Sequence, residues 1–332
     1  MSPRHYKHVF LGLSALAVIL LWGISLLNGT VTALFKAVWA AQLSPLVPLA
    51  NDYTGLPLID YPVALLVAFF FHGTNGSDEA YQLFLLDAYS TLQSAFVWIY
   101  VESFRDDYQS LSLLNQVIQA HQLGQARALP FSFLLGAIVP ALVGMAPVWL
   151  GPDARSARQH QVVLAAWQPD LVWVSVLQMA GSKIVSYWWP PRRTTDAKSA
   201  VRRWVLAAYL LSAAVSASGH LYTLVCVMSR EEESTNLWRM YVPLPGFLHG
   251  PDGPAANVLK RGPWLFLQYD LIIISLSSLL WAYSILSAHK STSEPPKILA
   301  LLFGAFAVGP GATVSFILYT RERNGNVKKI PQ

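Results

Sequence analysis

Of the 332 residues, 54% are hydrophobic and 12% charged, about half the ~25% charged fraction of an ordinary soluble domain. This balance excludes a soluble core. It predicts an all-α fold, a polytopic transmembrane helical bundle of about eight spanning helices in one integral membrane domain over residues 1–332, with the lipid bilayer as its first partner. The formal charge of +5 and pI near 9.2 come from Lys and Arg scattered over short connections, so headgroup-facing flanks explain them better than nucleic acid does. Cys226 is the only cysteine, which rules out an internal disulfide and a cysteine-based metal site.

In chain order, Val9 to Leu27 follows Arg4 and Lys7 and reads as an anchor span, although Val31-Thr32-Ala33 has the form of a cleavage site. Val31 to Leu49 is apolar but holds Lys36, Pro45 and Pro48, which suits an interfacial or re-entrant segment. Further spans are expected at Pro57 to Gly73, Tyr81 to Val101, Pro130 to Leu150, Val162 to Trp188, Arg203 to Met228, Trp264 to Leu286 and Ile298 to Tyr319. Between the third and fourth, Tyr108 to Arg127 carries Leu111, Leu114 and Ile118 at helical spacing among polar residues, and is expected along the membrane surface. The longest connection, Ser229 to Gly262, opens on Glu231-Glu232-Glu233 and is rich in Pro and Gly. It reads either as a solvated connector or as a cover over a cavity.

An acid at membrane depth costs ~2.5 to 3.5 kcal/mol on insertion scales, so each one kept there asks for a reason. Asp87, Asp170 and Asp270 lie six to eight residues after expected span starts, and His220 lies eight before an expected end. At ~1.5 Å rise per residue and by helix parity, all four fall roughly 9 to 12 Å below one surface, a candidate polar chamber. Glu102 is about 22 Å along the helix from Asp87 and cannot form a dyad with it; an i, i+3 ion pair with Arg105 is the plain account. Asp60 suits a helix terminus, Lys183 can snorkel, and His220 by itself fits a satisfied core histidine. Trp167, Trp173 and Trp281 lie deep enough to offer π-faces to a cation, an attraction of ~2 kcal/mol when desolvated, or simply to pack.

Metal and cofactor motifs are missing, so none is expected. Asp106-Asp107 is followed by Tyr108, Gln109, Ser110 and Leu111, and Asn51-Asp52 has no carboxylate at Leu56, so no spaced acids stand ready for magnesium. Nor is there a phosphate-cradling glycine loop, a paired-histidine motif or a serine nucleophile elbow.

Several short strings resemble those of the fungal membrane-bound terpene cyclases of meroterpenoid pathways, the ascofuranone and macrophorin type. They are Glu102-Ser103-Phe104-Arg105, Ala166-Trp167-Gln168-Pro169, Gly219-His220, Gln268-Tyr269-Asp270 and Gly309-Pro310-Gly311-Ala312, and they cover the chain from about residue 100 onward. The resemblance implies a prenylated aromatic or quinone-like substrate, often with a terminal epoxide. It also implies metal-free cyclisation begun by a protein acid, in a membrane expected to be the endoplasmic reticulum. Asp270 is the expected general acid, with Asp87 tuning it or taking the final proton and Asp170 and His220 in support. Glu102 is carried by the resemblance alone, against the parity argument. Trp167, Gln168, Tyr269, Trp173 and Trp281 complete the expected substrate-binding set. Two rivals stand beside this reading. A small-molecule or proton-coupled transporter would use the breaks at Pro140, Pro147 and Gly309-Pro310-Gly311, although no matching halves are visible. A non-catalytic receptor or scaffold would pair its buried acids structurally.

Overall fold

The computed structural model describes residues 3–109, 115–188, 194–229, 235–244, 254–288 and 298–324, with side chains described for 7–103, 123–188, 199–229, 235–244, 258–287 and 298–324. The triple-glutamate run and the Pro/Gly-rich stretch from 245 to 253 lie outside the described residues, as do the side chains of Arg105, Asp106 and Asp107.

Helix α1 (Pro3–Ala17) runs through a π-helical turn at Val18–Gly23 into α2 (Ile24–Leu27), and Gly29, at φ 82°, turns the chain into α3 (Thr30–Trp39). The antiparallel strands β1 (Gln42–Ser44) and β2 (Val47–Pro48) follow. The expected non-spanning segment is therefore a short helix and a hairpin. Next come α4 (Pro57–Thr74), α5 (Glu79–Gln109) and α6 (Asn115–Phe133), then a π turn at Leu134–Ile138, α7 (Val139–Gly144) and α8 (Pro147–Leu150). The second half holds α9 (Ala157–Trp167), α10 (Asp170–Trp188), α11 (Thr194–Met228), the short α12 (Leu237–Tyr241), α13 (Pro254–Ala288), α14 (Ile298–Val308) and α15 (Pro310–Asn324).

Among the described residues, five helical stretches are long and apolar enough to cross a membrane: Lys7–Leu27, Pro57–Thr74, Leu123–Leu150, Ser199–Met228 and Val258–Ser287. A sixth is reached if α9 and α10, bent by 50° at their junction, form one span. These helices fit an integral membrane protein, and the apolar side chains of Val18, Ile19, Trp22 and Leu27 along the first of them are exposed. The difference from about eight has three physical sources. Helix α5 is long enough at 31 residues, but Gln82, Asp87, Ser90, Thr91, Gln93 and Ser94 make it polar; all six are buried within the protein. The stretch from Ile298 to Tyr319 is interrupted at Gly309, whose φ of 89° no helix accepts, ahead of Pro310. The stretch from Val162 to Trp188 breaks at Pro169, which lacks the N–H an uninterrupted helix needs there.

The surface helix expected to end at Arg127 instead continues as α6 to Phe133, carrying Pro130 inside it and leading directly into the span. The π turn that follows stands just before Pro140, where the i→i−4 ladder loses a donor.

The chain packs as two compact units, each built from three separate stretches. The first comprises Met1–Ala88, Ala141–Pro169 and Tyr222–Ser277. Its aromatic core gathers Tyr81, Phe84, Val227, Met240 and Trp264, with Tyr241, Leu267 and Leu271 against it. A capping box between Ser156 and Gln159 starts α9. The next turn ties α9 to the β2 end, because Gln161 accepts from the Ala50 amide at 2.7 Å and donates to the Pro48 carbonyl at 2.8 Å.

The second unit comprises Tyr89–Pro140, Asp170–Leu221 and Ser278–Gln332. Its core runs from Phe96, Val97 and Trp98 through Leu129 and Phe133 to Val205, Tyr209, Val314 and Leu318. Small residues bring its helices close: a Cβ on Gly311 would stand 2.9 Å from the Thr91 Cα, and the Ser212 and Ser315 hydroxyls meet at 2.9 Å.

Candidate active site

In the first unit, Asp87 lies on α5 one turn after Phe84 and is 1% exposed. The Tyr241 hydroxyl, at the end of α12, donates to its Oδ2 at 2.5 Å, a length typical of a phenol bonded to a carboxylate. Burial first, then the charge of Asp87 and the hydrogen bond to it, push the Tyr241 phenol above its ordinary range, so it stays a donor.

Around this pair, the Phe84 ring meets Tyr241 edge-on at 5.9 Å, and Tyr81 stacks on Trp264 at 5.0 Å between centroids. The Arg239 guanidinium lies 5.1 Å over the Trp264 ring and bonds Asp78 at 2.9 Å; Lys260 reaches the same carboxylate at 3.3 Å.

Asp270 sits on α13, three residues after Leu267 and one before Leu271, both packed on the aromatic core. It is half-buried, and among the described residues it has neither hydrogen-bond nor ion-pair partner. No donor there holds its anion. Tyr269 and Gln268 precede it; Gln268 is buried and donates to the carbonyls of Arg239 and Met240 at 2.9 and 2.8 Å, so its amide is committed to α12. Trp167, also in this unit, is 3% exposed, with Phe70 at 6.4 Å and Gly144 against its ring; Gln168 ends its helix.

The remaining expected site residues fall in the second unit. Asp170 begins α10 at the Pro169 break and does not lie two turns inside a continuous helix; its Oδ1 accepts from the Leu171 amide at 2.7 Å, and Tyr89 donates to its Oδ2. Glu102 is ion-paired with the buried Arg321 of α15 and accepts from the Tyr209 hydroxyl at 3.2 Å. His220 places Nε2 2.9 Å from the Phe306 carbonyl, and so donates to it. That carbonyl lies in the last turn of α14, where the residue four further on is Pro310 and has no N–H to offer. His220 thus satisfies a helix break, and Gly309 packs against it. Trp173 is 43% exposed, and Trp281 lies 6.2 Å from Trp98.

Asp60 fills the terminus role expected of it, accepting from the Thr54 amide and hydroxyl and from the Gly55 amide at 2.7 to 2.9 Å. Among the described residues, no three His, Cys, Asp or Glu side chains gather as metal ligands.

Three of the expected acids therefore each accept from a tyrosine: Asp87 from Tyr241, Glu102 from Tyr209 and Asp170 from Tyr89. Asp270 accepts from none among the described residues. These tyrosines and Arg321 escape sequence reasoning because each partner is far along the chain, and a lone tyrosine in an apolar segment or loop reads as packing.

The first unit thus sets the buried Asp87 and the half-buried Asp270 on helices beside an aromatic core, in an almost wholly helical fold with several helices fit for a bilayer. The chain belongs to the CtvD domain family, which matches residues 6–118 and 108–324. It is 25% identical to the terpene cyclase DEP1 of Fusarium langsethiae, over 93% of this chain and 96% of that protein. It is also 25% identical to the terpene cyclase DEP1 of Alternaria brassicicola over 96% and 99% of the two chains, and to the terpene cyclase alnG of Emericella nidulans over 93% and 92%. The resemblance to fungal meroterpenoid terpene cyclases is thereby shown, and it extends over the first hundred residues, which the short strings do not reach. No solved structure matches the chain.

Proposed function

We propose that this protein is a membrane-bound terpene cyclase that folds the prenyl chain of a farnesylated aromatic or quinone-type precursor into rings, without metal, by protonation from a carboxylic acid. The names of its relatives support the reaction class. The observation that carries the chemistry is the contrast between Asp270, which has no donor or counter-ion among the described residues, and three acids each bonded by a phenol.

A carboxyl that nothing holds as an anion is suited to deliver a proton. Asp270 is then the general acid. It protonates a terminal epoxide oxygen or olefin, the chain's π-bonds close on the cation in turn, and a carboxylate takes the last proton. Asp87 is that base: it shares a unit with Asp270, and its Oδ2 accepts a short bond from the Tyr241 hydroxyl. The rings of Phe84 and Tyr241 supply π-faces for the cation, and the apolar core beside them keeps out water that would quench it. Asp170, Glu102 and His220 act in the second unit as fixed polar joints of the scaffold.

Microsomes containing the protein, incubated with farnesyl hydroquinone or its terminal epoxide, are expected to form a cyclised isomer at a rate unchanged by a metal chelator. Absence of any cyclised product, or loss of it on chelation that magnesium restores, contradicts this reading. Uptake of the same compounds into liposomes, with no conversion, identifies a transporter.

A further inference from the structure

The cyclase reading does not by itself account for how firmly α12 is held. A five-residue helix cannot hold itself together, because helix nucleation is unfavourable and only tertiary contacts repay it. This one is secured at every turn. Asn236 caps it by accepting from the Arg239 amide at 2.8 Å, and Gln268, from within α13, occupies the carbonyls of Arg239 and Met240. Met240 is fully buried, and Arg239 is tied to Asp78 and laid over Trp264. All of these contacts lie in the first unit, and with α12 so held the Tyr241 hydroxyl is set on Asp87. A solvated connector would need none of them.

We propose that Tyr241 is a positioning residue of the reaction, carried in by α12 to hold Asp87 as the aimed carboxylate that removes the final proton. The inference rests on the cyclase reading. In that last step the C–H bond beside the cationic carbon breaks, its electron pair becomes the new C=C bond, and the proton passes to an Asp87 oxygen. Asp87 then releases the proton to solvent, Asp270 regains one, and the isomerisation closes with no net proton. A phenol on Oδ2 fixes the carboxylate in one rotamer, so a single C–H of the cation is selected and one olefin predominates.

The test uses full-length protein in microsomes with farnesyl hydroquinone and its terminal epoxide. Tyr241→Phe keeps the ring against Phe84 and removes only the hydroxyl. The expected result is a kcat lower by about tenfold, the loss of one hydrogen bond to a charged group, at unchanged KM. With it should come a larger share of products with a misplaced double bond or an added hydroxyl from water. A variant with less folded protein, but wild-type rate per folded molecule and wild-type product ratio, overturns the proposal, since a purely structural tyrosine gives that outcome. If Tyr241→Phe does not fold, 3-fluorotyrosine at position 241 keeps the hydroxyl and alters its acidity; a shifted product ratio supports the proposal and an unshifted one overturns it. Wild-type protein that cyclises neither probe removes the cyclase reading itself, whereas wild-type activity matched by Tyr241→Phe removes only this inference.

Discussion

Glu102 is carried as a site residue by the family resemblance and is paired with Arg321 in the structure, and Glu102→Gln tests whether its role is chemical or structural. Arg321, its ion-pair partner, has a side chain only 3% exposed, while that of Glu102 is 28% exposed. Removing one partner of a buried pair costs about 3 to 5 kcal/mol, because the other charge is left uncompensated. The amide keeps an oxygen for the Tyr209 hydroxyl and for Arg321, and Glu102 borders solvent, so we place the loss nearer 2 kcal/mol. Heating detergent-solubilised protein and following the surviving monodisperse fraction by size exclusion should show a lower midpoint for Glu102→Gln. Adding Arg321→Met, which removes the stranded charge, should restore most of the loss. Turnover per folded molecule should stay near wild type in both variants. An unchanged midpoint with abolished turnover would refute this account and make Glu102 a proton donor.

His220→Phe should lower the thermal midpoint by the equivalent of about 1 to 2 kcal/mol, the cost of leaving the Phe306 carbonyl unpaired, with product formation per folded molecule retained; lost turnover at unchanged stability would instead place His220 in the chemistry. Burial pushes the Tyr53 phenol from 10.0 up to about 12. A group whose folded value is raised gives its stabilisation in full below its unfolded value and loses it as pH climbs toward the folded one, so thermal midpoints should fall between about pH 10 and 12. Tyr53→Phe should flatten that decline, and an identical decline in the variant would contradict the assignment.

What the sequence yielded follows from what is local in it. Apolar runs and charge-poor composition were enough for an all-α bundle, and Asp60, ahead of Tyr61 and Pro62 at the start of a span, was recognisable as a terminus residue. The proline at 169 and the Gly309-Pro310 pair were in plain view, yet hydropathy averaging joined the segments on either side, so Asp170 was placed inside a helix that it in fact begins. Helix α5 is different, because its polar residues are buried inside the protein and several of them are paired there: Gln93, for example, donates to the Ala137 carbonyl at 3.0 Å. The partners of the acids were beyond reach for a simpler reason. Tyr241 is 154 residues from Asp87, and Arg321 is 219 from Glu102, so nothing short of the fold brings them together. The long connection after α11 offered two readings, and its one described helix turned out to be anchored inward through Met240, Arg239 and Tyr241.

The most direct measurement is the initial rate of cyclised product formed by Asp270→Asn, at folded-protein levels matched to wild type. If Asp270 delivers the initiating proton, the amide should lower the rate by about a hundredfold or more, the usual share of a general acid, while the protein remains folded. An Asp270→Asn protein that cyclises the precursor at the wild-type rate would show that the proton comes from elsewhere.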